Sequence, residues 1–202
     1  MKKIGLTGSI GMGKSTTARM FAKQGIPVHD ADATVHRLYS KGGAAVEPVG
    51  KAFPEALKDE AIDRDALRKA VIGNDDAMKQ LERIVHPLVH ADEAALLAEA
   101  ERDNAPFVIF DIPLLFETGG DARMDAVIVV TAPADVQRKR VLERGTMSEE
   151  DFECILARQV PDSEKRRRAQ FVIDTGDGME SARRQVREIT DKLRASVSTK
   201  PS

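Results

Sequence analysis

One cysteine, one tyrosine and no tryptophan occur in 202 residues, and each scarcity removes a class of protein. Cys154 alone can form neither an internal disulfide nor a zinc cluster, which fits a reducing compartment. Aromatic residues make up 4% of the chain, too few for a platform that stacks single-stranded bases. Neither sign of charge dominates: 31 basic residues against 33 acidic ones leave a net charge of −2. No global field therefore draws the chain to nucleic acid or to an anionic membrane. No stretch approaches the roughly 20 apolar residues of a membrane span. Met1-Lys2-Lys3 has the charge of a signal-peptide start, but Gly5, Gly8, Gly11, Gly13 and Lys14 break the apolar segment behind it. That argues against export and for the cytoplasm.

What remains is 42% apolar and 32% charged residues, the mix of a globular protein. A chain of this length buries roughly 70% of its unfolded surface, enough to fold without a disulfide or structural metal. Lys2 to Thr7, Val28 to Asp30, Phe107 to Asp111, Ala126 to Val130 and Phe171 to Asp174 read as five short strands. The longer runs are continuously apolar, as in a parallel sheet covered on both faces. Helical segments alternate with them: Lys14 to Gln24, and a last helix with Ala182, Val186, Ile189 and Leu193 on one face. The expectation is an α/β fold, a doubly wound five-stranded parallel sheet. Ser196 to Ser202 reads as a frayed tail.

Between the second and third of these strands the pattern is helical, over residues 63–73, 77–85 and 88–102, with breaks at Gly73-Asn74 and His86-Pro87 and no convincing strand. This insertion, residues 34–103, divides a core made of residues 1–33 and 104–202. A second excursion, residues 143–168, is rich in both charges. It reads either as a solvated helix pair or as a mobile lid. Lys165 to Arg168 reads as a solvated helix face.

The strongest signal is Gly8-Ser9-Ile10-Gly11-Met12-Gly13-Lys14-Ser15, a full match to G-x-x-x-x-G-K-[ST] between a strand and a helix. Glycines let successive N–H groups curl around an anion, and the helix N-terminus adds partial positive charge. Lys14 would reach the β and γ phosphates of ATP, and Ser15 would offer its hydroxyl to Mg²⁺. Gly8, Gly11, Met12, Gly13 and Thr16 complete the candidate nucleotide site. Asp111 ends an apolar strand, where an acid can hold a magnesium-bound water. A signalling GTPase is excluded, because Asp111 is followed by Ile112-Pro113-Leu114 rather than x-x-Gly and no Asn-Lys pair exists in the chain. Small-molecule kinases are built on such a core with one helical insertion for the acceptor and one basic lid. Arg138, Arg140, Arg144 and Arg158 are then candidates to grip the transferring phosphoryl group. Asp32 is the candidate base for an acceptor hydroxyl, with helix capping as its other reading. His86 could touch substrate or bond a helix-end carbonyl.

These residues together resemble the dephospho-coenzyme A kinase family. The resemblance runs over almost the whole chain, from Ile4-Gly5-Leu6-Thr7-Gly8 through Asp30-Ala31-Asp32, Asp63-Arg64, Leu67-Arg68, His86-Pro87 and Asp111 to Glu117, then Ile155 to Gln159 and Val172-Ile173-Asp174. It implies ATP-dependent phosphorylation of the ribose 3′-hydroxyl of dephospho-coenzyme A, with another P-loop nucleoside, nucleotide or small-molecule kinase as the alternative. It implies a nucleotide-binding core, a helical acceptor domain and a lid. Matched by position, Asp32, Lys14 and Arg140 are the catalytic set, Arg144 joins the ATP site, and Asp32, His86, Asp111, Pro113, Leu114, Leu115 and Glu117 line the acceptor site. ATP is the co-substrate, Mg²⁺ the metal, and the partners are these small molecules. A monomer is the simplest expectation. One departure stands out: many members carry Asn where this chain has Thr175, in a turn expected near the adenine.

Overall fold

Seven strands form among the described residues, which are 1–198 of the computed structural model: β1 (Lys2–Thr7), β2 (Val28–Asp30), the two-residue β3 (Leu57–Lys58) and β4 (Ala61–Ile62), β5 (Phe107–Asp111), β6 (Ala126–Thr131) and β7 (Phe171–Asp174). Nine α-helices accompany them among the described residues: α1 (Lys14–Ala22), α2 (Ala31–Tyr39), α3 (Val46–Ala52), α4 (Arg64–Val71), α5 (Asp75–Arg102), α6 (Ala134–Leu142), α7 (Glu149–Arg158), α8 (Asp162–Arg168) and α9 (Gly178–Ser198). Met1–His29 with the chain from Ala100 onward makes one unit, and Asp30–Glu99 a second. Among the described residues no helix is long and apolar enough to cross a membrane.

The five strands read from sequence become one sheet, in the order β2-β5-β1-β6-β7. β1 lies in the middle, parallel to β5 (Leu6 opposite Asp111) and to β6 (Thr7 opposite Val129). The strand order reverses at β1, so the loop leaving its carboxyl end opens into the crevice where α/β sheets bind ligands. Phe107, Val108, Ile109 and Phe110 are each at most 1% exposed, because both faces of the sheet are covered. One face packs Ile4, Leu6, Ile128 and Ile173 against Phe21 of α1 and Ala182, Val186, Ile189 and Leu193 of α9, the stripe expected from spacing. Leu115, Phe116, Val127 and Val129 fill the other face.

The expected frayed end is corrected up to residue 198. α9 carries Ser196 within it, and the Lys2 ammonium donates to the Ser196 carbonyl at 3.1 Å and to its hydroxyl at 2.9 Å. Residues 199–202 of that expectation lie outside the described residues.

The second unit has its own core of Leu38, Tyr39, Val49, Phe53, Leu67, Val71 and Val85. Asp63 caps α4, its Oδ1 accepting from the N–H groups of Asp65 and Ala66 at 3.0 Å each. Two expectations fail here. A hairpin, β3–β4, exists where no strand was expected, turned by Asp59 and Glu60 with φ of 49° and 61°. Two residues of positive φ make a tight hairpin turn, and Asp tolerates that conformation without glycine. The break at His86-Pro87 also does not occur: α5 continues through Pro87 for 28 residues. Proline removes one backbone hydrogen bond. Ile84, Val85, Leu88 and Val89 on either side pack into the unit's core and hold the helix together.

Candidate active site

After Thr7 the chain has no room for a side chain, since a Cβ on Gly8 would stand 2.5 Å from the Val130 carbonyl oxygen of β6. The loop then turns through Gly11 and Gly13, the latter at φ 90°, where L side chains are strained, and enters α1. No side chain caps α1. The N–H groups of Gly11, Gly13, Lys14 and Ser15 have no backbone acceptor among the described residues. Unsatisfied donors at a helix N-terminus form an anion site. The Lys14 ammonium is ion-paired with the carboxylate of Asp111, which is 2% exposed at the end of β5. Thr7 donates its hydroxyl to the Pro113 carbonyl at 3.1 Å and so fixes the segment that follows Asp111.

A second wall comes from α6 and the turn after β7. Arg140 donates from Nη1 to the Thr175 hydroxyl oxygen at 2.8 Å and from Nη2 to the Thr175 carbonyl at 2.7 Å. The same hydroxyl faces the carbonyl oxygens of Met12 at 2.9 Å and Thr131 at 3.2 Å. A cavity of about 200 Å³ opens here, lined by Gly11, Gly13, Thr16, Arg140, Arg144 and Thr175 among others. Gly11, Gly13, Thr16 and Arg144, expected at the nucleotide site from sequence, therefore meet Arg140 of the expected catalytic set in one place. Met12 is 3% exposed and sits in the core, so only its backbone faces the loop's work. Thr175, met in the sequence only as a departure from the family pattern, ties Arg140 to the phosphate loop.

Several other expectations are corrected. Leu115 is fully buried beneath the sheet and has no side-chain surface for an acceptor, whereas Leu114 beside it is 44% exposed. Glu117 does not face an open site: its Oε1 accepts from the Val160 N–H at 2.9 Å and pairs with the Lys165 ammonium at 2.9 Å. Lys165 is 0% exposed, so the basic run of α8 is not simply a solvated face. Arg168 lies over the Phe116 ring at 4.4 Å and bonds Asp121 at 2.6 Å. The amphipathic pattern could not reveal this, because the burying partner lies about fifty positions away in sequence. Arg138 is likewise taken up by Glu149 and stands 3.6 Å from Glu153 on α7.

Burial pushes the Glu117 carboxyl up, but the adjacent Lys165 ammonium and the backbone N–H groups of Glu117 and Val160 outweigh it and hold it below its ordinary 4.5. A depressed carboxyl contributes stability that is complete above its unfolded value and is lost as pH falls through its folded value. The Glu117 contribution is thus present above about pH 4.5 and fades below it. Lys165→Met would leave that carboxylate buried without its cation, a loss of about 3–5 kcal/mol. The thermal midpoint at pH 7 should fall by roughly 10 °C, and Glu117→Gln combined with Lys165→Met should recover part of it. A midpoint within about 2 °C of the parent would remove the pair from any part in stability.

In the second unit the structure separates two carboxylates that the sequence left open. Asp30, not Asp32, caps α2, its Oδ1 accepting from the Ala33 N–H at 2.9 Å. Asp32 stands exposed in the first turn of α2, with the capping role already filled. His86 is exposed on α5 and lines an open depression with Asn74, Lys79, Arg83 and Pro87.

A family model described as Dephospho-CoA kinase matches residues 2–180, the phosphate loop, Asp32, Asp111 and Arg140 included. The chain belongs to the dephospho-CoA kinase family. Among curated family members, the dephospho-CoA kinase of Mesorhizobium japonicum is 57% identical over 95% of this chain and 96% of its own. That of Cereibacter sphaeroides is 56% identical over 95% of each. Among solved structures, the Thermus thermophilus protein TT1252 is 35% identical, with a TM-score of 0.79 over 95% of this chain and 97% of that one.

Proposed function

We propose that the chain transfers the γ-phosphoryl group of ATP to the ribose 3′-hydroxyl of dephospho-CoA, giving CoA and ADP. The observation that carries this reading is a family match over most of the chain whose phosphate loop is folded with its donors open and its lysine in place. The free N–H groups of Gly11, Gly13, Lys14 and Ser15 receive the phosphate oxygens. Lys14 leaves Asp111 for the β and γ phosphates, where positive charge stabilises the transferring group. Arg140 and Arg144, four residues apart on one face of α6 and its end, supply further positive charge beside the cavity.

Mg²⁺ fits the donors present: the Ser15 hydroxyl and, through water, the Asp111 carboxylate are the hard oxygens it takes, and phosphates complete its shell without a protein cage. When bound it neutralises charge on the β and γ phosphates. Asp32 orients the acceptor hydroxyl and takes its proton, so that an alkoxide-like oxygen meets phosphorus as the proton leaves. The helical unit is the acceptor domain in this reading. His86, Asp111, Pro113 and Leu114 contact the acceptor, and the Glu117 carboxylate serves by fixing the segment around Val160. The excursion over residues 143–168 is a lid anchored at its second half by Lys165. The setting is the cytoplasm, where the exposed thiol of Cys154 stays reduced, and the partners are the two small substrates acting on a monomer.

Labelled ATP offered with a panel of acceptors tests the substrate. Transfer to dephospho-CoA above nucleosides and nucleoside monophosphates is expected. Transfer to any of those in preference to dephospho-CoA would refute the reading.

A further inference from the structure

The crest of the phosphate loop is held by two glutamines that the reaction scheme above does not use. Gln137 of α6, 5% exposed, donates from Nε2 to the Ile10 carbonyl at 2.7 Å. Gln159, the residue that ends α7, accepts the Ile10 N–H on its Oε1 at 3.2 Å. The backbone partners fix the amide orientations: a carbonyl can only accept and an N–H can only donate. The loop also packs directly on α6, since a Cβ on Gly11 would lie 2.6 Å from the Val141 methyl carbon.

We propose that Gln137 and Gln159 are positioning residues that clamp both polar groups of Ile10, hold the phosphate loop in its anion-receiving form and join it to the end of α7. The geometry of the peptide gives the reason. In a trans peptide the C=O of one residue and the N–H of the next point in opposite directions. Holding the Ile10 carbonyl toward α6 therefore turns the Gly11 N–H away from it, and the Thr175 hydroxyl on the Met12 carbonyl does the same for the Gly13 N–H. Glycines alone would leave these peptides free to rotate. The clamp removes that freedom before nucleotide arrives, which lowers the ordering cost of binding. Gln159 adds a mechanical link. Its neighbour Val160 is pinned by Glu117, and Arg158 precedes it on α7, so the loop crest and the base of the lid helix move together.

This inference rests on the loop being an ATP-phosphate site. Titration of the full chain with Mg²⁺–ADP and steady-state kinetics test it. Gln159→Met and Gln137→Met are each expected to weaken ADP by about five- to tenfold, the range of one lost hydrogen bond, and to raise the KM for ATP alike. The KM for dephospho-CoA should stay within about twofold, a split that a general loss of folded protein would not produce. The double variant should lose less than the product of the two single losses, because both act on one residue. Should the buried Gln137→Met not fold, Gln159→Met decides alone. ADP affinity within about twofold of the parent, or an equal rise in both KM values, overturns the clamp. A parent that binds ADP but does not phosphorylate dephospho-CoA overturns the substrate reading instead, and the ADP titration still decides the clamp.

Discussion

Asp32→Asn is expected to lower kcat for dephospho-CoA phosphorylation by about 10²- to 10⁴-fold, the usual worth of a positioned general base. The substitution keeps the size of the side chain and its ability to orient a hydroxyl, while abolishing its basicity. Stability should not change, because Asp30 and not Asp32 satisfies the N–H of Ala33 at the head of α2. ATP affinity should also hold, since the proposed reaction assigns Asp32 to the acceptor and the phosphates to the loop of residues 8–15. Stopped-time assays with saturating substrates, paired with nucleotide titration, measure both quantities. A fall in turnover of less than about twofold, under 0.5 kcal/mol in the barrier, would deprive Asp32 of the role.

Lys14→Ala should lower kcat by about 10²- to 10³-fold, the scale seen when one preorganised charge or donor is removed from developing negative charge. Unlike the Asp32 variant it should also weaken nucleotide binding, because in the proposed reaction Lys14 meets the phosphates in the ground state as well as during transfer. The ion pair with Asp111 gives a further expectation. Lys14 and Asp111 neutralise one another beside the sheet, and the proposed reaction exchanges that contact for contacts to phosphate and metal. Asp111→Asn should consequently loosen Lys14 in the free protein and change the Mg²⁺ dependence of turnover more than the affinity for ADP measured without metal. An unchanged kcat in Lys14→Ala would contradict the placement of the phosphates on this loop.

The parts of the molecule that were legible in the sequence are those made by near neighbours. The phosphate loop is eight consecutive residues whose glycines, lysine and serine have meaning only together. The α9 stripe of Ala182, Val186, Ile189 and Leu193 repeats at helical spacing, and the strands are unbroken apolar runs. Where the reading failed, a local rule met an opposing distant contact. Pro87 marks a break locally, yet apolar packing on both sides carries α5 through it. Lys165 sits in a run of basic residues that reads as solvated, yet it is buried against Glu117. Leu115 and Glu117 belong to a segment matched to the acceptor site, but one fills the core and the other pins the Val160 N–H just after α7.

The sequence was sufficient for the fold class, the glycine-rich turn between β1 and α1 and the reaction class, because each is written in short-range pattern: period, glycine spacing and the order of residue types. It could not say which of two aspartates caps α2, that Arg140 is held by Thr175, or that Gln137 and Gln159 grip Ile10. Those are choices among many possible partners for polar groups. A hydrogen bond forms over about 3 Å, and the separations of 35 to 149 residues that divide Arg140 from Thr175 and Ile10 from its two glutamines become such distances only when β1, α6, α7 and the turn after β7 have folded together.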